Sequence, residues 1–134
     1  MNISIVVPVY NSSSIIEDLT KDILLTIKEI SDVNKIQLIL VNDCSTDESW
    51  KKISKLSDEY KEMVLGINLM KNYGQHNAIM AGLKLANGDY ILLIDDDYQH
   101  PPKEIPKILS KIREGFDVCY TNYKNNTYSK FKIF

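Results

Sequence analysis

"GQHNAIMAGLKLANGDYILLIDDDYQHPP" (Gly74–Pro102) contains a change of hydrophobic period that decides the fold class. From Gly74 to Ala86, small and apolar residues recur at helical spacing. "NGD" (Asn87–Asp89) then punctuates the chain, and Tyr90–Ile94 follows as an apolar run that reads as a buried strand. The strand leads straight into three carboxylates, Asp95, Asp96 and Asp97, with Gln99, His100 and two prolines close behind. Self-repulsion and desolvation argue against such a cluster unless something positive sits beside it.

Working outward, the same alternation recurs. "ISIVVPVY" (Ile3–Tyr10) and "IQLILVND" (Ile36–Asp43) read as buried strands, and "MVLGINL" (Met63–Leu69) as a weaker third. After the first strand, "NSSS" offers N-cap side chains to a helix carrying Ile15, Ile16, Leu19, Ile23 and Ile27. After the second, Ser45, Thr46 or Asp47 can cap a helix carrying Trp50, Ile53 and Leu56. "PPKEIPKILSKIREG" (Pro101–Gly115) is a Pro-started helix with Gly115 just past its end, and "FDVCYTNY" (Phe116–Tyr123) reads as a fifth strand. The expected architecture is α/β, a mostly parallel sheet with helices on both faces and right-handed crossovers. Ligands in such sheets bind beyond the carboxyl ends of the strands, near a switch in strand order. The clusters "YNSS", "NDCSTD" and "DDDYQH" should therefore meet at one sheet edge.

A chain of 134 residues, 44% hydrophobic and 25% charged, suits one domain with a real core. A net charge of −2 supplies no basic field for nucleic acid or for an anionic membrane surface. Cys44 and Cys119 lack metal-site spacing and are expected as buried free thiols of a reducing compartment. No signal peptide is expected before the first strand, and no stretch is long enough to span a bilayer. The closing "KNNTYSKFKIF" turns polar, then basic and aromatic, and reads as a linker into something further.

On a strand, Asp95 and Asp97 would point the same way and Asp96 away. Two same-side carboxylates and the Gln99 amide oxygen form a hard oxygen set that suits Mg²⁺ or Mn²⁺, with further oxygens from a diphosphate. His100 could add a nitrogen and favour Mn²⁺. The competing reading is a solvated acidic loop; the expected convergence with two other polar clusters favours the cation. Asp43 is placed to accept hydrogen bonds from a ligand such as a pyrimidine base, or else to cap the next helix; for Asp47 the cap is the better reading. Pro8 and Tyr10 could wall a base, with Asn11 as the alternative strand-end cap. Gly74 stands at a helix start where backbone N–H groups could approach an anion. Neither a P-loop nor a Gly-x-Gly-x-x-Gly is present. His76 reads as solvent-facing or capping, and Met80, Leu83 and Leu85 as core.

In order along the chain, "ISIVVPVYN", "LILVNDCSTDES" and "KNYGQHNAIMAGLKLANGDYILLIDDDYQHPPKEI" resemble an inverting glycosyltransferase of family 2. The likeness is strongest to the polyprenyl-phosphate glycosyltransferases and runs from Ile3 to about Tyr120. It implies a GT-A fold, a Rossmann-like sheet that binds a nucleotide-diphosphate sugar. By motif, Pro8, Val9, Tyr10 and Asn11 would line base and ribose, and Asp43 would recognise the base. Asn72, Gly74 and Gln75, with Ala78 and Gly82 on the following helix, would border the nucleotide. Asp95, Asp96 and Asp97 stand at the family's Asp-x-Asp, with Asp95 and Asp96 among the nucleotide-binding residues and Asp95, Asp97 and Gln99 as the metal set.

The resemblance further implies a UDP-sugar in preference to a GDP-sugar, and a polyprenyl phosphate or glycan acceptor in cell-envelope synthesis. It implies a donor half over residues 1–122, with 123–134 leading to an acceptor and membrane-proximal part. The full-length protein would sit at the cytoplasmic face of the membrane, with self-association open. Ser12 departs from the family, which often has Glu there. A non-catalytic nucleotide-sugar-binding module of the same fold is the alternative. A receiver-type signalling domain is excluded, because the first strand ends in "VYNSS" without an acidic pair.

Overall fold

The structure, a computed structural model, describes residues 1–121. Its elements are β1 (Asn2–Val9), α1 (Ile16–Lys28), β2 (Lys35–Asn42), α2 (Ser49–Glu59), β3 (Val64–Asn68), α3 (Gln75–Leu83), β4 (Tyr90–Leu93) and α4 (Ile105–Arg113). A single 3-10 turn, Pro102–Glu104, leads into α4. The sheet has the order β3-β2-β1-β4 with every pair parallel. In register, Val9 lies opposite Asn42 and Val6 opposite Leu93, so β1 projects past β4.

Strand alternation divides the core in two. Ile3, Ile5, Val7 and Val9 of β1 face the larger cluster, with Leu19 and Ile23 of α1, Ile53 of α2 and Leu109 of α4. Val6 of β1, with Ile39 and Val41 of β2, faces the opposite way onto Ala78 of α3. Among the described residues, helices thus cover both faces, α1, α2 and α4 on one side and α3 on the other. α3 sits close because its contact stripe is small: a Cβ on Gly82 would lie 2.4 Å from Val6 Cγ1. This corrects the core assignment of Met80 and Leu85, which are exposed; Leu83 is half-buried. Met80 lies about 200° round the helix from both Ala78 and Gly82, facing away from the sheet.

Other expectations are corrected too. α1 starts without a side-chain cap; the Ser12 carbonyl accepts from the Ile15 and Ile16 N–H groups, each at 3.0 Å. The fifth strand does not form over 116–121. Among the described residues that segment has no ladder partner, and Phe116, Val118 and Tyr120 are exposed. Cys44 and Cys119 are free but only half-buried, because each lies outside a strand. Gly115 terminates α4 with φ +98°, a left-handed position that suits glycine. Among the described residues no helix is long and apolar enough to cross a membrane. The junction near residue 122 and the segment 123–134 lie outside the described residues.

Candidate functional site

The strand order places a ligand crevice before any side chain is considered. From β1 the chain steps one way to β2 and β3, and then returns to the other side for β4. The loops after β1 and β4 therefore leave in opposite senses, and a crevice opens between them. It is a cleft of about 520 Å³. Pro8, Val9 and Tyr10 border it from β1, Asp43 from β2, and Asn72, Gly74 and Gln75 from the approach to α3. Asp95, Asp96, Asp97 and Gln99 close it from β4. The polar ends of β1, β2 and β4 thus meet at one edge, and hydrogen bonds join the first two clusters. Asn11 N–H donates to Ser45 Oγ at 3.0 Å, and Thr46 N–H donates to Asn11 Oδ1 at 2.8 Å.

Asp43 is almost wholly buried, 4% exposed. Its Oδ1 accepts from Tyr73 N–H at 2.8 Å and its Oδ2 from Gly74 N–H at 3.0 Å. The anion awaiting the N–H groups ahead of α3 is therefore the chain's own carboxylate. Gly74 adopts φ +89° and ψ 157°, a conformation essentially reserved for glycine, which turns both N–H groups towards Asp43. Lone pairs remain on both oxygens, so the clamp leaves acceptor capacity on the cleft side. The N-cap of α2 is Glu48, without a side-chain cap bond, so Asp47 stands one residue ahead of the cap expected of it; it accepts from Ser49 N–H at 2.9 Å and Ser13 N–H at 3.1 Å. Slight burial pushes its carboxyl up, but these hydrogen bonds outweigh it and bring the pKa down to about 2.

The acidic loop is a turn rather than a continued strand, since β4 stops at Leu93 and Tyr98 has φ +59°. The odd-numbered residues still reach the cleft, by a different route from strand alternation. Gln75 Nε2 donates to Asp95 Oδ1 at 2.7 Å, and Gln99 N–H donates to Asp97 Oδ1 at 3.0 Å. Asp96 turns back to β1: its Oδ2 accepts from Tyr10 N–H at 3.0 Å and from the Ser12 hydroxyl. Ser12, the departure from the family pattern, is thereby buried beside the acidic loop. Tyr98 donates its hydroxyl to Asp22 of α1 at 2.8 Å; burial and that carboxylate raise its pKa.

Electrostatically the loop is incomplete. Burial raises the Asp95 pKa, and the charges of Asp97 and Asp96 add to the rise; His100 and the Gln75 hydrogen bond only partly oppose it. Among the described residues no Lys or Arg lines the cleft. Nor, among the described residues, do three His, Cys, Asp or Glu side chains gather into a ready metal cage. A pair of carboxylates with an amide oxygen fits Mg²⁺ or Mn²⁺ when water and phosphate supply the remaining ligands. The donor set therefore fits a divalent cation that arrives with a phosphate-bearing ligand.

Three expected residues fall outside the cleft walls. Ala78 is fully buried against the sheet, and Gly82 serves the close approach of α3, so neither offers a surface to a ligand. Asn11, at φ +51°, spends its side-chain oxygen on Thr46. Val9 borders the cleft, but its side chain belongs to the larger core. His76 is exposed on the first turn of α3. The Gln75–Asp95, Ser12–Asp96 and Tyr98–Asp22 pairs carry no sequence signal, because each spans 20 to 84 residues. A second, apolar groove of about 730 Å³ runs along β4 and α4 and shares Gln99 with the polar cleft.

Comparison with known proteins bears on this site. The model of the family described as "Glycosyl transferase family 2" matches residues 4–133. The undecaprenyl-phosphate 4-deoxy-4-formamido-L-arabinose transferase of Proteus mirabilis is 38% identical over 130 residues, 97% of this chain and 39% of that protein. The protein of the same description from Salmonella paratyphi B is 40% identical over 131 residues, with the same coverage. The chain thus spans about 39% of the length of these curated relatives. Among solved structures, S. aureus TarS 1–349 in complex with UDP-GlcNAc matches with a TM-score of 0.63 and 26% identity, over 85% of this chain and 31% of that one. The mannosyltransferase PcManGT of Pyrobaculum calidifontis, in complex with GDP-Man and Mn²⁺, matches with a TM-score of 0.64 over 76% of this chain and 29% of that one. At 18% identity the latter likeness shows the fold alone.

Proposed function

Because the chain belongs to glycosyltransferase family 2, we propose that it is the donor-binding half of a metal-dependent inverting glycosyltransferase. The carrying observation is the cleft at the β1–β4 switch point, where Asp95, Asp97 and Gln99 meet Tyr10, Asp43 and Gln75 with no basic side chain among the described walls. Residues 1–122 form the donor domain in this reading, and 123–134 lead towards the acceptor part. The groove along β4 is the place for further sheet to pack.

The ligand is a nucleotide-diphosphate sugar. Pro8 and Tyr10 flank the base and ribose, and Asp43 offers its remaining lone pairs to a base N–H while it holds the Tyr73–Gly74 loop. Asp95, Asp97 and Gln99 hold Mg²⁺ or Mn²⁺ beside the diphosphate, and Gln75 orients Asp95 through its amide. When bound, the cation supplies Lewis-acid neutralisation of the nucleoside diphosphate as a leaving group. UDP is favoured over GDP, and a polyprenyl phosphate over another glycan acceptor, by the names of the relatives and of the UDP-GlcNAc complex. A membrane acceptor would place the full-length protein at the cytoplasmic face.

Calorimetric titration of UDP- and GDP-sugars, with and without Mn²⁺, tests the reading. Saturable binding that needs Mn²⁺ and is lost in Asp97→Ala is expected. No nucleotide binding in the presence of metal would refute the donor site. The alternative, a binding module without turnover, is favoured only by the 39% span. Sugar transfer by the full-length protein and none by its Asp97→Ala variant would exclude it.

A further inference from the structure

We propose that Asp96 is a positioning residue: its carboxylate ties the acidic loop to the β1–α1 loop and so aims Asp95 and Asp97 into the cleft. The inference rests on the donor-site reading above.

The tie ends on a rigid point. Ser12 is 8% exposed, and its N–H donates to Ser49 Oγ of α2 at 2.9 Å. Its carbonyl accepts from the first N–H groups of α1. What remains is its hydroxyl, which bonds Asp96. Tyr10 N–H, at the strand end, donates to the same Oδ2 of Asp96 at 3.0 Å. The loop being held needs a restraint, because Asp95, Asp96 and Asp97 stand in succession and their like charges repel. With no basic side chain among the described cleft walls, relaxation outwards into water is the cheap response to that repulsion. Asp96 blocks it by binding backwards to Tyr10 and Ser12. Tyr98 adds a second anchor on Asp22, so residues 96 and 98 hold the loop, and Asp96 borders the cleft together with Asp95, Asp97 and Gln99.

The geometry separates positioning from ligation. Both donors meet one oxygen of Asp96, and an amide oxygen can accept both bonds equally. Asp96→Asn therefore keeps the tie and deletes the charge, whereas Asp96→Ala deletes both. The readout is the ratio of UDP affinity with Mn²⁺ to that without it, with melting temperature recorded alongside. Expected is a fall in that ratio of about tenfold or more for Asp96→Ala, about threefold or less for Asp96→Asn, and an intermediate fall for Ser12→Ala. Amide shifts of ligand-free protein give an independent reading: Asp95–Gln99 should move in Asp96→Ala and hold near the parent in Asp96→Asn. If Asp96→Ala does not fold, Ser12→Ala carries the test.

The proposal is overturned if Asn falls as far as Ala, which would make the Asp96 charge act on the cation directly. It is equally overturned if Ala, or Ser12→Ala, binds like the parent. Failure of the parent protein to bind UDP with Mn²⁺ would sink the donor-site reading instead. The amide shifts would still decide whether Asp96 sets the loop.

Discussion

Replacing Asp43 by asparagine keeps the volume and removes one acceptor from a buried clamp. Both carboxylate oxygens take a backbone N–H, Tyr73 at 2.8 Å and Gly74 at 3.0 Å. The amide group must face one of them, donor against donor. Gly74 is the cheaper choice, since its N–H already has a second acceptor in Asn72 Oδ1 at 3.2 Å. The Tyr73 bond then survives as a neutral one. A hydrogen bond to a charged group contributes about 1.5–3 kcal/mol, so losing one and weakening the other costs about 2–3 kcal/mol. For 134 residues, each kcal/mol corresponds to about 3–4 °C, so the melting temperature falls by about 6–12 °C. Thermal and urea unfolding followed by circular dichroism measure this, with Asp97→Asn as a control that should not fall. Asp43→Ala should cost more, because both N–H groups lose the carboxylate. A shift under about 3 °C in Asp43→Asn would refute the clamp; loss of UDP affinity alone would make Asp43 a ligand contact only.

Gly82→Ala drives a Cβ to 2.4 Å from Val6 Cγ1, a fully buried and rotamer-stiff side chain on the central strand. It should cost about 2–3 kcal/mol in the same unfolding experiments, near the top of the overpacking range. Asp47 gives a pH signature. Its folded pKa of about 2 lies below the ordinary carboxylate value, so its stabilisation is complete above about pH 4 and fades as pH falls towards 2. Asp47→Asn should flatten the acid limb of the stability profile in that window and nowhere above it. Asp97→Asn relieves like-charge crowding of Asp95, and in EDTA should melt no lower than the parent. It should also lose the ligand stabilisation that Mn²⁺ and UDP confer on the parent, about 2.7 kcal/mol at a hundredfold excess over Kd. Differential scanning fluorimetry reads both effects.

The parallel sheet was legible because β1, β2 and β4 are short apolar runs, each ending in a polar cluster. Their convergence followed from topology alone, before any contact was known. The acidic triplet could be located but not its geometry: alternation placed Asp95 and Asp97 together, yet β4 has already ended and a turn does the placing. Asp96, expected to face away, is instead tied to Tyr10 and Ser12. α3 misled for a physical reason. Met80 and Leu85 are apolar, but a helix that packs through Ala78 and Gly82 buries those small residues, leaving Met80, and Leu85 just past its end, exposed. Phe116–Thr121 has strand composition, and composition cannot supply the neighbouring strand that a ladder requires.

Manganese relaxation in amide NMR spectra tests the central claim most directly, because it locates the cation rather than inferring it. With UDP present, trace Mn²⁺ should broaden the amides of Gly74 and of Asp95–Gln99 first and leave the far end of α2 sharp. The effect should vanish in Asp97→Ala. Broadening centred elsewhere, for instance on Glu17 and Glu48, or indifferent to UDP and to Asp97, would contradict the account.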